Sequence, residues 1–420
     1  MSPIIGPAGN RACAEMISAA RMLFAERGYH ATSTTAIAEA TGRSDTAFYQ
    51  YFSSKRALYQ MFFEELGQEL LEHFDRIPDF GSDESGLATL RGWLAQLGLI
   101  FRSHSAAFLE WPSPGIDEPA SDNPQEPYFA RFVAAMRSVV GGADLDGLEV
   151  RTVTLATASL VAYSNVVLDT RHRVTGHLFD SFDELDEVLA RMMHRALFPS
   201  SVPPSDVGGG SQSAEPPLET EETLLGLRKP VTRRARPTID RVLAGAESAF
   251  LRKGLAGTSV NEIIEAAGVG HGTFYTYWSD RTAIFETMMH RAATAVRAHL
   301  AALVETNSPA GLETWLAGWL DVVERHGATL HIWTSEIVDL PPLQPLGAEM
   351  DEYLWEVAGR LLGANPVLRQ LDRRAATAAL WALLMEFPYS AWRRNPVLTR
   401  AEVLHAQRWL LGRGYLGWAG

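Results

Sequence analysis

Apolar residues recur at intervals of three and four along most of this chain, the spacing of helices that bury one face. Alternating strand patterns and hairpin turn signals are scarce. The pattern therefore predicts an all-α protein. Two of the clearest apolar stripes are Met16, Ala19, Ala20, Leu23 and Phe24, and Ile239, Val242, Ala246, Ala249 and Phe250.

The two stripes belong to an internal repeat with a constant offset of 226 residues. Phe48-Tyr49-x-Tyr51 recurs as Phe274-Tyr275-x-Tyr277. Beyond this segment the similarity fades, although Gly92-Trp93-Leu94 still recurs as Gly318-Trp319-Leu320. The chain is thus interpreted as a duplication, in which each half has a well-preserved head and a diverged body.

The repeat divides the chain into five predicted segments. Residues 200–223 are rich in Pro, Gly, Ser and acidic residues and contain little to bury, which predicts a flexible linker. The predicted segments are 11–60 (first head), 61–199 (first body), 200–236 (linker with a basic end), 237–286 (second head) and 287–420 (second body).

Each head is predicted to contain four short helices with a tight turn before the third. Gly28 and Gly254 suit a C-terminal cap of the first helix. Gly42 and Gly268 supply the turn of a helix-turn-helix motif. The third helices are expected at about 44–51 and 270–277.

Polar residues predict where the second and fourth helices begin. Ser259 and Glu262 form a capping-box pattern, whereas the first head has Ala36 at the position of the glutamate. Ser53 and Ser279 are predicted to cap the fourth helices.

The segments RMLFAERGYHATSTTAIAEATGRSDTAFYQYFSSKRALY and SAFLRKGLAGTSVNEIIEAAGVGHGTFYTYWSDRTAIF resemble the N-terminal DNA-binding domain of TetR-like regulators. The resemblance implies that a threonine, a tyrosine and a basic residue hold DNA phosphates. In the second head these are Thr273, Tyr275 and Arg281, and in the first they are Tyr49 and Lys55. The first head departs from the family pattern, with Thr46-Ala47 where Gly-Thr is expected, and with Asp45.

Base contacts are expected from side chains near the start of each recognition helix. Tyr51 and Tyr277 are expected to pack their rings and reach phosphate with their hydroxyl groups. Because the two heads share almost none of the base-contacting residues, an asymmetric operator is expected. These residues are Arg43, Ser44, Asp45, Thr46 and Gln50 in the first head, and His271, Thr273 and Thr276 in the second.

The net charge is −13, but its distribution permits DNA binding. Residues 11–59 hold six Arg and Lys against four Asp and Glu, and residues 228–286 hold nine against six. Two mildly basic heads thus lie in an acidic protein. Arg233 and Arg234 precede the second head, and either contact phosphate as an arm or form a solvated linker end.

The resemblance also implies that the bodies bind a small-molecule effector and dimerise through their last two helices. Those helices are expected at 146–172 and 182–197, and at 371–392 and 399–411. The two bodies could pair within one chain as an internal pseudo-dimer, or a homodimer of tandem chains could form. Candidate pocket residues are Phe108, Glu110, Trp111, Trp333, Glu336 and Trp355, although core packing or surface roles are the alternatives.

The sequence gives no support for an enzyme, a cofactor or a metal site. Phosphate-binding loops, dinucleotide fingerprints, nucleophile elbows and zinc-protease motifs are missing. Cys13 is the single cysteine, and neither a signal peptide nor a membrane span is predicted. The sequence favours a cytoplasmic repressor that an effector releases from double-stranded DNA. In the alternative, only the second head binds DNA and the first is a degenerate scaffold.

Overall fold

The computed structural model describes most of both halves of the chain. In the described residues there are sixteen α-helices and no strand, which confirms the all-α prediction. None of these helices has the length and apolar character needed to cross a membrane. The described residues are 7–104, 126–175, 182–199, 227, 232–306, 308–336, 343–363, 369–394 and 397–418.

The first half begins with a four-helix head whose last helix continues into the body. The head contains α1 (Pro7–Ala31), α2 (Thr34–Ala40), α3 (Asp45–Phe48) and α4 (Lys55–Phe74). The body adds α5 (Glu84–Ser103), α6 (Glu126–Val139), a 3-10 turn (Val140–Gly142), α7 (Val150–Thr175) and α8 (Asp183–Leu197).

The second half repeats this order. Its head contains α9 (Arg236–Lys253), α10 (Val260–Ala267), α11 (His271–Tyr277) and α12 (Arg281–Glu305). The body adds α13 (Pro309–Glu336), α14 (Gln344–Gly363), α15 (Arg373–Trp381) and α16 (Arg400–Trp409). Three π-helical segments occur here: π1 (Ala382–Glu386), π2 (Tyr389–Arg394) and π3 (Leu410–Leu416).

An aromatic core joins each head to the helix that leads into its body. In the first head, Phe24 packs edge-on against Phe62 of α4, with ring centroids 6.0 Å apart. In the second, Phe250 packs edge-on against Phe285 of α12 at 5.8 Å. Because α4 and α12 share this core and then enter the bodies, they are the covalent and packed connection between head and body.

The first helix ends differently in the two heads. Gly254 caps α9 with a positive φ of 66°, as predicted. Gly28 does not cap α1, which continues through it to the end of the helix three residues later, so that prediction is wrong. In this head Lys55 donates a hydrogen bond to the carbonyl of Tyr29 in the last turn of α1, and Thr32 donates to that of Leu23 two turns earlier.

The caps of the fourth helices lie one residue later than predicted. Ser54, not Ser53, caps α4 by accepting a hydrogen bond from the amide three residues on. Asp280, not Ser279, caps α12 in the same way. Ser279 instead donates to the carboxylate of Asp280 at 2.9 Å. A carboxylate at this position also complements the positive end of the helix dipole.

The last two helices of each body pack against each other across the two halves. We call this contact the inter-half interface: α7 meets α15, α16 and π1, and α8 meets α15 and π3. Ion pairs extend it, since Arg413 lies 2.9 Å from Asp144 and 3.3 Å from Asp146. Arg408 also pairs with Asp146. The loop before α7 is thereby fastened to the end of the second half.

A proline accounts for the irregular helix at this interface. Pro388 has no N–H group, and its ring displaces the carbonyl group four residues earlier from regular helical bonding. That carbonyl belongs to Leu384, and it accepts from the indole nitrogen of Trp319 at 2.6 Å and from Gln407 at 3.3 Å. The freed backbone oxygen is therefore satisfied inside the second body.

Candidate nucleic-acid interface

The second head forms a regular helix-turn-helix pair. Ser259 and Glu262 make the predicted capping box at the start of α10. Gly268 ends α10 in the left-handed region, with φ 60° and ψ 40°. A hydrogen bond from Lys253, helped by the cap hydrogen bonds of Ser259, lowers the pKa of Glu262 to about 2. The charged form of Glu262 thus holds the beginning of α10 in place.

The recognition helix of the second head exposes one continuous polar face. Tyr275 is 46% exposed, and His271 at the start of the helix is also exposed. Thr273 and Thr276 are half-buried, and the Thr276 hydroxyl donates to the carbonyl of Gly272 at 2.7 Å. These side chains lie on the surface that a helix-turn-helix places in a DNA groove.

The inner face of this helix is anchored by aromatic residues. Phe274 and Trp278 are fully buried, and the indole N–H of Trp278 donates to Thr287 of α12 at 2.9 Å. Tyr277 is half-buried and its ring lies 5.7 Å from that of Trp278. The recognition helix is therefore oriented by α12, the helix that continues into the body.

The recognition helix of the first head is shorter than predicted. Only Asp45–Phe48 are helical, and the residues that follow form a turn up to Tyr51, which is half-buried against the core. Ser44, Thr46 and Gln50 are exposed. Ser44 precedes the helix without a side-chain capping bond. The first head presents a polar face of its own, but on a single helical turn.

Tyr49 of the first head matches Tyr275 in its exposure. It is 54% exposed, and its hydroxyl oxygen lies 3.4 Å from that of Thr34 at the start of α2. Both tyrosines also pack edge-on against the buried phenylalanine before them, with centroids 5.4 Å apart in each head. Their rings are held by the phenylalanine while about half of each side chain stays exposed, which leaves it accessible to phosphate.

Arg43 is engaged within the first head. Its guanidinium lies 2.7 Å from the carboxylate of Glu15 on α1 and donates to the carbonyl of Thr41 at 2.9 Å. Hydrogen bonds from Arg43 and then from Arg11 hold the pKa of Glu15 below its ordinary value. A base contact by Arg43 would therefore require exchange of this pair for DNA.

Lys55 and Arg281 occupy the same position in the two heads and make the same kind of contact. Lys55 Nζ donates to the carbonyl oxygens of Tyr29 and Thr32 at 2.7 and 2.8 Å. Arg281 Nη1 donates to those of Ala256 and Thr258, both at 2.8 Å. Each cation thereby fastens the connection between the first two helices of its head to the start of the fourth.

Thr32 and Thr258, which are not among the predicted site residues, complete this connection. Both are buried, and their hydroxyl groups donate to the carbonyls of Leu23 and Ala249, each at 3.2 Å. Their identity at the 226-residue offset was the available signal. Each hydroxyl bond ties the residue before the second helix to the first helix, which explains why both heads keep the threonine.

Arg233 and Arg234 form a turn immediately before α9 and are exposed. Most of the predicted linker, including 200–226 and 228–231, lies outside the described residues.

Two of the predicted pocket residues, Trp333 and Trp355, have described side chains. Trp355 is 39% exposed, and the guanidinium of Arg373 lies 5.3 Å from its ring, and a pocket role for this residue stays a prediction. A large ring that stacks with an arginine tolerates exposure well. Trp333 is buried edge-on against Trp381 at 5.2 Å. Phe108, Glu110, Trp111 and the side chain of Glu336 lie outside the described residues.

Comparison with known families agrees with this geometry. The family described as "Bacterial regulatory proteins, tetR family" matches residues 16–61 and 242–288. The two matched segments coincide with the two helix-turn-helix heads. The family consists of transcriptional regulators and not of enzymes, in agreement with the prediction from the sequence. The chain is therefore a DNA-binding regulator of the TetR family in which the helix-turn-helix domain occurs twice.

Proposed function

We propose that this regulator reads one asymmetric DNA site with both heads and that a small-molecule effector relieves the binding. One observation carries the proposal: the two heads expose different side chains at their recognition helices. Ser44, Thr46 and Gln50 face outward in the first head, and His271 is exposed in the second. Two identical heads read a palindrome, whereas two different heads read two different half-sites.

The phosphate contacts are proposed to be similar in the two heads. The exposed hydroxyl groups of Tyr49 and Tyr275 are the leading candidates. The positive charges supply the part of the affinity that depends on salt but not on base sequence. The charged residues are Lys55, Arg281, Arg233 and Arg234. Further candidates for DNA contact, which carry no charge, are Thr46, Thr273, Thr276, Tyr51 and Tyr277.

The internal pseudo-dimer is proposed as the working form of the chain. The inter-half interface supports it, because the last two helices of the two bodies already contact each other within one chain. The ion pairs of Arg413 with Asp144 and Asp146 favour pairing of a first half with a second half. A homodimer of tandem chains would need a different surface or an exchange of halves.

Effector control is proposed to act through the spacing of the heads. A ligand releases DNA only by binding better to a conformation in which the heads no longer match the two half-sites. The helices α4 and α12 are suited to transmit such a change, because each shares a core with its head and continues into its body. We propose that occupancy of the operator represses transcription and that the effector ends the repression.

A second candidate function is a regulator in which only the second head binds DNA. Three features of the first head favour it. The recognition helix has one turn, and Arg43 is paired with Glu15. The Asp45 side-chain oxygen Oδ1 is buried and has no hydrogen-bond partner among the described residues. An acidic side chain in this position also repels phosphate.

A footprint of the purified chain on DNA flanking its own gene, with measured stoichiometry, tests the proposal. Protection of one asymmetric site of two half-sites by one chain is the expected result. Protection of a palindrome by two chains would contradict it and favour the second candidate.

Matched substitutions then separate the two heads. Tyr49→Phe and Tyr275→Phe are each expected to weaken binding if both heads hold phosphate, and loss confined to Tyr275→Phe would favour the second candidate. Lys55→Gln and Arg281→Gln should also be titrated with salt. If a substitution removes a phosphate contact, the negative slope of log affinity against log salt becomes shallower by about one. Weaker binding with an unchanged slope would mean that these cations only fasten the heads.

A further inference from the structure

The inter-half interface contains a buried acidic group that DNA binding does not use. Glu386, the last residue of π1, has no exposed surface. Its Oε2 lies 2.8 Å from Nδ1 of His331 on α13. Its Oε1 is also buried and has no hydrogen-bond partner among the described residues. A buried carboxyl oxygen without a partner costs free energy, which favours binding of a donor that satisfies it.

One aromatic ring from each half of the chain contacts the histidine of this pair. The ring of Tyr389 lies 4.9 Å from that of His331, and Tyr163 of α7, in the first half, approaches His331 edge-on at 6.4 Å. The ring of Tyr389 packs closely against Gly327, where an added Cβ would come within 2.7 Å of the tyrosine ring. The carboxyl group of Glu386 is thus bonded to a histidine that contacts two aromatic rings, and such rings suit a positively charged organic group.

The duplication leaves this arrangement in one copy. Tyr163-Ser164 and Tyr389-Ser390 stand 226 residues apart, and both serine hydroxyl groups donate to the carbonyl oxygen four residues earlier. The residue that carries this carbonyl is Leu160 in the first half and Glu386 in the second. The local helix geometry is thus shared between the halves, whereas the acidic group belongs to the second half alone.

We propose that Glu386 and His331 form a binding site for an organic ammonium compound at the inter-half interface, with Tyr163 contributed by the first half. A protonated amine supplies an N–H donor for Oε1 and a positive charge for the aromatic rings. This inference rests on the proposed effector control. Because the site has walls from both halves, its occupancy alters their packing and hence the spacing of the two heads.

An irregular helix at this site fits the proposal. Glu386 ends a π-helical segment, and such segments occur frequently at functional sites of proteins. Pro388, two residues after Glu386, accounts for the irregular helix. It does not account for the acidic side chain, because Leu160 occupies the equivalent position in the first half. The charge is therefore a separate feature of the second half.

Calorimetric titration of the full chain with benzylammonium chloride tests this site, with benzyl alcohol as the neutral isostere. Benzylammonium is expected to bind, and benzyl alcohol to bind at least about tenfold more weakly. Glu386→Gln keeps the size of the side chain and should lower the benzylammonium affinity by a similar factor. Glu352→Gln changes an exposed glutamate of α14 and should leave the affinity unchanged.

A variant in the other half tests whether the site is composite. Tyr163→Leu is expected to lower the benzylammonium affinity several-fold, and it decides the matter if Glu386→Gln fails to fold. Absence of benzylammonium binding, equal binding of the alcohol, or unchanged affinity in both variants would overturn the inference. Such an outcome would also be expected if an ordered water molecule permanently occupies the site. The ligand-free DNA footprint is measured separately, so its loss would instead count against the proposed function.

Discussion

The two heads keep one set of contacts and vary another. Both fasten the connection between their first two helices with a buried threonine and with a cation at the start of the fourth helix. They differ in the length of the recognition helix and in the side chains it exposes. The kept contacts fix the angle between helices and tolerate little change, whereas exposed residues do not affect that angle. Duplication has thus preserved the frame of the DNA-binding domain and let the reading surface diverge.

Removal of the central core residue of each head should have the largest effect. Phe48 and Phe274 are both fully buried. Phe48→Ala and Phe274→Ala are each expected to lower the free energy of unfolding of their own head by about 3–5 kcal/mol, because each leaves a cavity. Hydrogen exchange of amides in the two heads measures this. A much smaller loss for Phe48→Ala would mean that the first head is loosely packed and would weaken the comparison.

The first half contains a buried carboxyl group, Asp186, whose ionisation lowers the free energy of unfolding. The size of this loss depends on pH. Burial raises the pKa of Asp186 to about 6, against the lowering influence of Arg102, and its Oδ1 has no hydrogen-bond partner in the described residues. Between pH 4 and 6 the folded state keeps a proton that the unfolded chain has released. Stability therefore falls as the pH rises through this range, and the cost is fully present at pH 7.

Asp186→Asn should remove that cost. We expect it to raise the free energy of unfolding by roughly 2 kcal/mol at pH 7 and to have little effect at pH 4. Asp79→Asn, at an exposed carboxyl group of the same half, is the control. Denaturant unfolding at both pH values measures the difference, and an equal gain at pH 4 and pH 7 would contradict the assigned cause.

In the second head, α9 approaches α10 so closely at Gly245 that an alanine side chain would not fit there. A Cβ added to Gly245 would lie 2.7 Å from the backbone nitrogen of Ala267 on α10, whereas the first head has Ala19 at this position. Gly245→Ala is expected to cost about 1–3 kcal/mol through this overlap. Gly272→Ala in the same head meets no atom within 4 Å and serves as the control for thermal unfolding. Equal melting temperatures for the two variants would show that the heads pack alike.

Features set by local spacing were predictable from the sequence, and features set by distant contacts were not. The all-α class and the capping box of Ser259 follow from residues a few positions apart, and the duplication follows from such local patterns recurring at a constant offset. The pairing of Arg43 with Glu15 joins the turn before α3 to α1, so no local pattern indicates it. The contact of His331 with Glu386 spans 55 residues and depends on how α13 meets π1.

The errors at helix ends have the same origin. Gly28 has the residue type of a C-terminal cap, but α1 continues past it, and Lys55, which lies far along the chain, bonds the carbonyl of Tyr29 in its last turn. The local rule that a glycine ends a helix therefore does not predict this helix end, where a tertiary contact supplies the hydrogen bond. The short recognition helix of the first head was also missed, although its departure from the family pattern at Thr46-Ala47 was visible in the sequence.

The smallest expected effect concerns the capping box, which only the second head has. Ser33 caps α2 by accepting from the amide of Ala36, but alanine cannot accept a hydrogen bond from the backbone N–H of the cap residue, as Glu262 does from Ser259. Ala36→Glu should therefore complete the box and stabilise the first head by about 0.5–1 kcal/mol. Glu262→Ala should cost the second head a similar amount, and this gives a matched pair of variants.

Amide exchange near the start of α2 and of α10 measures the change in each variant. Global melting checks the stability of the rest of the chain. Ala36 is half-buried, so the longer side chain must reach solvent without disturbing the core of the head. Ala36→Gln offers the same hydrogen bond without the charge and separates the capping contribution from the helix dipole. If Glu stabilises and Gln does not, the charge accounts for the gain. If both fail while Glu262→Ala still destabilises, α2 begins with a geometry that differs from that of α10, and the divergence of the two heads extends into their frame.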